Sequence, residues 1–274
     1  MRLKTASLIS ALYFLVTFVA LLLAPQKDSY IKFLDVGQGD SIFIRDSEGH
    51  TVLIDGGGNY QVDQVINQEM PFPVCHFDYL VITHLHLDHV KGLEKILKRC
   101  SVDFVMFNDV SYASAYWDDF RHLLEKNNAK NIFSGDEFSI GKINFKVLWP
   151  TRELFQSEVK NQNDTSVVLL MDYGNFEALF MGDLEDNFQN DLDIDGVRNL
   201  IDGELEVIKI AHHGSYNGVY MPLINALKPV SCVVSVGSGN KFGHPNKKAM
   251  EELSGAGCKI MRTDLLGDIV IPIN

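Results

Sequence analysis

Residues 83–89 read Thr-His-Leu-His-Leu-Asp-His and follow the apolar run Tyr79-Leu80-Val81-Ile82. His84, His86, Asp88 and His89 therefore place three imidazoles and a carboxylate in a few residues, just past what reads as a buried strand. Imidazole nitrogen and carboxylate oxygen are ligands that Zn²⁺ takes, and they also suit Mn²⁺ and Fe²⁺. In an extended segment, alternation sends His84 and His86 to the same side. The chain must then turn for Asp88 and His89 to reach a neighbouring point, so one short turn can serve two adjacent divalent cations. A surface histidine cluster with adventitious metal is the plain alternative, and this order of ligand types argues against it.

Two coordination spheres need further ligands, and strand-end positions offer them. Asp183 follows the apolar segment Phe176–Met181 and could bridge two metals through its two oxygens. His212 and His213 close the segment Leu205–Ala211, and His244 lies in Phe242-Gly243-His244-Pro245. Asn163-Asp164-Thr165-Ser166 supplies small polar groups before another strand. Taken singly, each has an ordinary explanation: an Asp after a strand forms turns, and so does a His-Pro step. Asp55, before three glycines, reads as a turn former or a support for a ligand. Asp35 and Asp40 read as turn carboxylates or as groups that position the histidines. What joins the candidates is their common placement at the ends of strands.

The elements that must hold them alternate along the chain. Short strands are expected at Ile31–Val36, Ser41–Arg45, Thr51–Asp55, Val102–Phe107, Leu205–Ala211, Val230–Val236, Cys258–Arg262 and Asp268–Ile273. Hairpins are expected at 137–149 and 166–181. Helical spacing covers Val62–Gln68, Val90–Cys100, Ala113–Asn127, Met221–Leu227 and Lys247–Leu253. Two strand-rich halves with helices suit two packed sheets with outer helices, a four-layer αββα sandwich in the α/β class, better than one doubly wound sheet. The polar clusters then line one edge of the sheets, where ligands bind.

The chain has 274 residues and a formal net charge of −12. Such a balance favours solubility and excludes a broad basic footprint for a phosphate backbone. None of the four cysteines is in a CxxC pair, so a cysteine zinc site is not expected. Cys232 sits in an apolar run and reads as core. One or two disulfides fit an exported domain, with connectivity left open. Arg2 and Lys4 precede an uncharged run from Ala6 to Ala24. As a helix it would span about 28 Å, close to the hydrocarbon thickness. The basic flank predicts the N-terminus inside and the remainder outside. Residues 1–29 are thus a membrane anchor or a signal segment, and 30–274 the domain that carries the ligand residues. The anchor is preferred because Leu22 and Ala24 match a small-residue cleavage site poorly and Pro25 follows. If the segment is cut, the domain is secreted or periplasmic.

His84, His86, Asp88 and His89 form the H-x-H-x-D-H signature of the metallo-β-lactamase superfamily. Within it the chain most resembles the ComEC-type hydrolase domains of bacterial DNA-uptake proteins. The matching segments are Phe33–Ser41, Leu53–Gly57, Asn163–Val168, Met181–Glu185, His212–Ser215 and Gly243–Pro245. The resemblance implies the αββα fold and two divalent metal ions, Zn²⁺ or Mn²⁺. His84 and His86 would hold one and Asp88 and His89 the other. Asp183 would bridge them, and one of His212 and His213, with His213 favoured, would complete the second site. Asn163 stands where many relatives carry a further histidine. The expected chemistry is hydrolysis of a phosphodiester, possibly of DNA, by a metal-activated water outside the cytoplasm. Asp88, His212 and His244 are the catalytic candidates, the two histidines binding the phosphoryl oxygen or protonating the leaving group. Hydrolysis of another ester, a thioester or a lactam is the alternative, and a non-catalytic accessory module a further one. One span cannot make the many-helix channel of ComEC proteins.

Overall fold

A computed structural model describes residues 28–70, 73–108, 115–155 and 161–273. The apolar N-terminal segment lies outside the described residues. Among the described residues no helix is long and apolar enough to cross a membrane.

Among the described residues, fourteen strands form two sheets of seven. In chain order they are β1 (Tyr30–Phe33), β2 (Ile42–Arg45), β3 (Thr51–Ile54), β4 (His76–Val81), β5 (Ser101–Phe107), β6 (Lys130–Asn131), β7 (Glu137–Ile140), β8 (Ile143–Trp149), β9 (Val168–Tyr173), β10 (Phe176–Phe180), β11 (Leu205–Lys209), β12 (Ser231–Val234), β13 (Lys259–Arg262) and β14 (Ile269–Pro272). One sheet runs β14-β1-β2-β3-β4-β5-β6 and the other β13-β12-β11-β10-β9-β8-β7. The last strand thus leaves its sequence neighbours and pairs antiparallel with β1.

Residue alternation explains the layering. On β2, Ile42 and Ile44 enter the core between the sheets, while Phe43 enters a second core under helices. On β10, Ala178 and Phe180 face the central core and Leu179 faces a third, under the helices of the other sheet. Both faces of each sheet are therefore buried, which gives the αββα sandwich. Phe33, Phe145 and Phe180 are among the largest side chains buried at its centre.

Parallel pairing decides where the site falls. β3, β4 and β5 run parallel in one sheet, and β10, β11, β12 and β13 in the other. Their carboxyl ends meet along one rim. Asp55 follows β3, the histidine turn follows β4, Asp183 follows β10, His212 and His213 follow β11, and Ser235 follows β12.

The helix expected over Val90–Cys100 divides into Leu87–Val90 and Leu93–Arg99. Gly92 separates them. A Cβ there would overlap the Gly56 carbonyl, so the chain passes flush against the glycine run. The Gly56 amide donates to the His89 carbonyl at 2.6 Å and the Gly92 amide to the Gly57 carbonyl at 3.1 Å. The break lets the histidine turn seat on the Asp55 loop. Cys232, expected to be plain core, is buried and disulfide-bonded to Cys258, and Cys75 is bonded to Cys100.

Candidate metal centre

Asp55 organises the near side. It is fully buried, with a left-handed φ of 59°. Its carboxylate accepts from the Thr83 amide at 2.8 Å, the Thr83 hydroxyl at 2.7 Å and the ring of His89 through Nδ1 at 2.8 Å. A hydrogen bond from Nδ1 leaves Nε2 of His89 as the lone-pair nitrogen. That atom lies 3.3 Å from Oδ2 of Asp183. Nδ1 of His84 sits 3.1 Å from the Thr83 hydroxyl and 3.3 Å from that of Ser166. Thr83 gives its proton to Asp55, which leaves its oxygen to accept from the His84 ring, and Ser166 accepts the Asp183 amide at 3.0 Å. Nε2 of His84 is thus turned inward, 3.0 Å from Nδ1 of His86 and 3.9 Å from Oδ2 of Asp183.

The far side comes from a strained turn. His212 and His213 both have left-handed backbones, with φ of 49° and 53°. Conformations of this kind cost about 1–3 kcal/mol per residue and gather at functional sites. Here they point the two adjacent rings to different places. His213 is buried, and its Nδ1 lies 3.0 Å from the Ser235 carbonyl. Its Nε2 is 3.4 Å from Oδ2 of Asp183 and 3.3 Å from Oδ2 of Asp88. His212 turns toward Glu185, 3.3 Å from Nδ1, and its ring centre is 5.3 Å from that of His244. Of the pair, only His213 faces the carboxylates of Asp183 and Asp88.

His84, His86, Asp88, His89, Asp183, His212, His213 and His244 come together in this rim. Asp183 does not present its two oxygens equally. Oδ2 faces the Nε2 atoms of His84, His89 and His213, while Oδ1 faces the ammonium of Lys209 at 3.6 Å. Asp40, left open between turn former and support, is buried between Lys209 and His213, whose Nδ1 lies 3.3 Å from Oδ1. Asp35 accepts the Gly37 amide at 3.2 Å in a turn and takes no part. Asn163 donates to Glu185 at 2.9 Å.

Lys209 and Glu185 are the functional side chains that sequence reasoning passed over. A signal existed for the first: a lysine inside Leu205-Glu206-Val207-Ile208-Lys209-Ile210, between apolar neighbours, is unusual on a strand.

The donor set fits divalent cations. Nε2 of His89, Nε2 of His213 and Oδ1 of Asp183 are buried and make no hydrogen bond among the described residues. His84, His89 and Asp183 bring their ligand atoms within 4.8 Å of one another, and so do Asp88, His89 and His213. Electrostatics agree. Burial, with His89 adding to it, pushes His84 well below its usual range, and burial lowers His86, which favours the neutral form of both imidazoles. Burial also opposes charge on His89 and His213, but Asp183 and the other carboxylates outweigh it. His89 is held well above the ordinary range and His213 is raised to about 9. Burial would neutralise Asp183 and Asp40; His213 and His89 keep the first ionised and Lys209 the second. The assembly is several carboxylates that demand positive charge, with imidazoles aimed at the same point.

Fold and site together mark the class. Residues 34–228 match the family model described as the metallo-beta-lactamase superfamily, and the chain belongs to that superfamily of metal-dependent hydrolases. Its relatives include ComE operon protein 3 of Bacillus subtilis, 27% identical over 260 residues, covering 87% of this chain and 32% of the relative. Competence protein ComA of Neisseria gonorrhoeae is 26% identical over 247 residues, covering 89% and 32%. The chain therefore spans about a third of the length of the curated relatives it matches. Among solved structures, CmlA, a diiron beta-hydroxylase from Streptomyces venezuelae, superposes with a TM-score of 0.60 at 16% identity, covering 90% of this chain and 54% of that one. That likeness concerns the fold, which hosts more than one chemistry.

Proposed function

We propose that the protein is a two-metal phosphodiesterase acting outside the cytoplasm, with DNA as a candidate substrate. The observation that carries this proposal is the convergence of His84, His89 and His213 on a single oxygen of Asp183. In this assignment His84 and His86 would hold one divalent ion and Asp88, His89 and His213 the other, with Asp183 serving both. Such a pair would lower the pKa of a water and offset charge on phosphoryl oxygens. His212 and His244 stand beside the ligands without joining them. Burial, then His212 and His213, lower His244. A neutral ring can hydrogen-bond a phosphoryl oxygen, and an imidazole with a carboxylate 3.3 Å away can pass a proton to a leaving oxygen.

The rim favours a base-bearing substrate. Tyr216 and Phe242 are 52% and 56% exposed. Lys248 lies 4.9 Å from the Tyr216 ring centre and Lys241 5.3 Å from that of Phe242, which in turn stacks on His244 at 5.9 Å. Exposed rings beside cations are stacking platforms for single strands, worth about 1–3 kcal/mol per base. The relative named as a competence protein supports the same reading. Two disulfides suit an oxidising compartment, in keeping with a domain outside the cytoplasm.

The test loads the protein with Mn²⁺ or Zn²⁺ and offers bis(p-nitrophenyl) phosphate, single-stranded DNA and nitrocefin. Hydrolysis of the phosphodiesters, abolished by chelator and reduced at least about a hundredfold with loss of metal in Asp183→Asn, is expected. Turnover of nitrocefin alone would replace the phosphodiester assignment with a lactam one.

A further inference from the structure

Lys209 has no exposed surface, yet it carries a charge into the densest part of the site. Isolated, such an ammonium would cost several kcal/mol. It is kept by three oxygens: an ion pair with Asp40, a hydrogen bond to the Gly182 carbonyl at 2.8 Å, and Oδ1 of Asp183 at 3.6 Å. The Gly182 carbonyl belongs to the peptide that leads into Asp183, so Lys209 grips the backbone before this carboxylate and lies near one of its two oxygens. The other oxygen is the one facing His84, His89 and His213.

Resting on the two-ion assignment above, we propose that Lys209 is a positioning residue for metal binding: its buried ammonium holds the Gly182 carbonyl, and with it the peptide that leads into Asp183, so that the carboxylate is aimed at the cations. Asp40 completes the device, since it neutralises Lys209 and reaches His213 through its other oxygen.

The sign of the effect makes this separable from plain charge. Deleting a cation beside a metal site should by Coulomb's law tighten binding of another cation. A weakening can come only from lost positioning. The probe is Mn²⁺ alone, with uptake by the full chain read by equilibrium dialysis and elemental analysis, and melting temperature read in parallel. D40N retains the Lys209 ammonium and its bond to the Gly182 carbonyl, and is the reference against which the double variant is read. K209M/D40N leaves neither member of the buried pair charged and should melt close to D40N, yet bind Mn²⁺ about tenfold or more weakly, the range for groups that orient ligands. Equal or tighter binding in K209M/D40N overturns the proposal. Should that variant fail to fold, K209Q is read against wild type by the same sign: weaker binding supports positioning, and equal or tighter binding overturns it. Wild-type protein that takes up no Mn²⁺ would instead defeat the two-ion assignment itself.

Discussion

His212 and His213 are chemically identical neighbours, and the structure gives them different surroundings. His213 is wedged between Asp183, Asp88 and the Ser235 carbonyl, while His212 lies near Glu185, beside His244. His213→Ala should therefore lose bound metal. His212→Ala should keep its metal and lose rate, by about 10²–10⁴-fold if it handles a proton. Elemental analysis beside turnover on a phosphodiester separates the two, and equal metal loss in both would reject the distinction. The raised pKa of His213 has a pH signature. Its folded value, about 9, stands above the ordinary 6.5. Its contribution to the stability of the metal-free protein is complete below pH 6.5 and disappears as pH rises through about 9. A ligand nitrogen must be neutral, so metal uptake between those limits displaces the proton. Affinity for Mn²⁺ should rise with pH across that window. Calorimetry at pH 7.5 in buffers of different ionisation enthalpy should register release of roughly one to two protons.

At the level of elements, the site depends on tight backbone packing between loops. Gly39 has a φ of 125°, and a Cβ on it would overlap the Asp88 carbonyl. The turn before β2 thereby lies directly on the turn that carries Asp88. Gly39→Ala should destabilise by roughly 2 kcal/mol or more, through both the backbone conformation and the overlap. Urea denaturation measures this, and a change under half that size would mean that the loops separate easily. Much of this organisation is legible in sequence. Alternating or continuous apolar runs mark the strands, and Gly141-Lys142 marks the hairpin of β7 and β8. The short helix Ile194–Leu200 and the two-residue β6 escape notice because their periodicity is too brief to register. The split at Gly92 escapes because its cause, the Gly56 carbonyl, is distant in sequence.

For the molecule as a whole, two sheets with three apolar cores supply the frame, and two disulfides clamp one helix-covered face of each sheet. The bonds close loops with sequence separations of 25 and 26. Reduction of both should lower stability by about 2–4 kcal/mol per bond, read as a fall in the urea midpoint under reductant. No change would mean that they are not formed in solution. The amino-acid order by itself determined the ligand types, the strand-end positions and the four-layer class, because these follow from local chemistry and from periods of two and 3.6 residues. Only the tertiary structure decided which oxygen of Asp183 faces the imidazoles, which of two adjacent histidines joins it, and why a lysine lies inside. Those outcomes depend on parallel strands from two sheets ending at one rim, where charges far apart along the chain are forced to share a space that water does not screen.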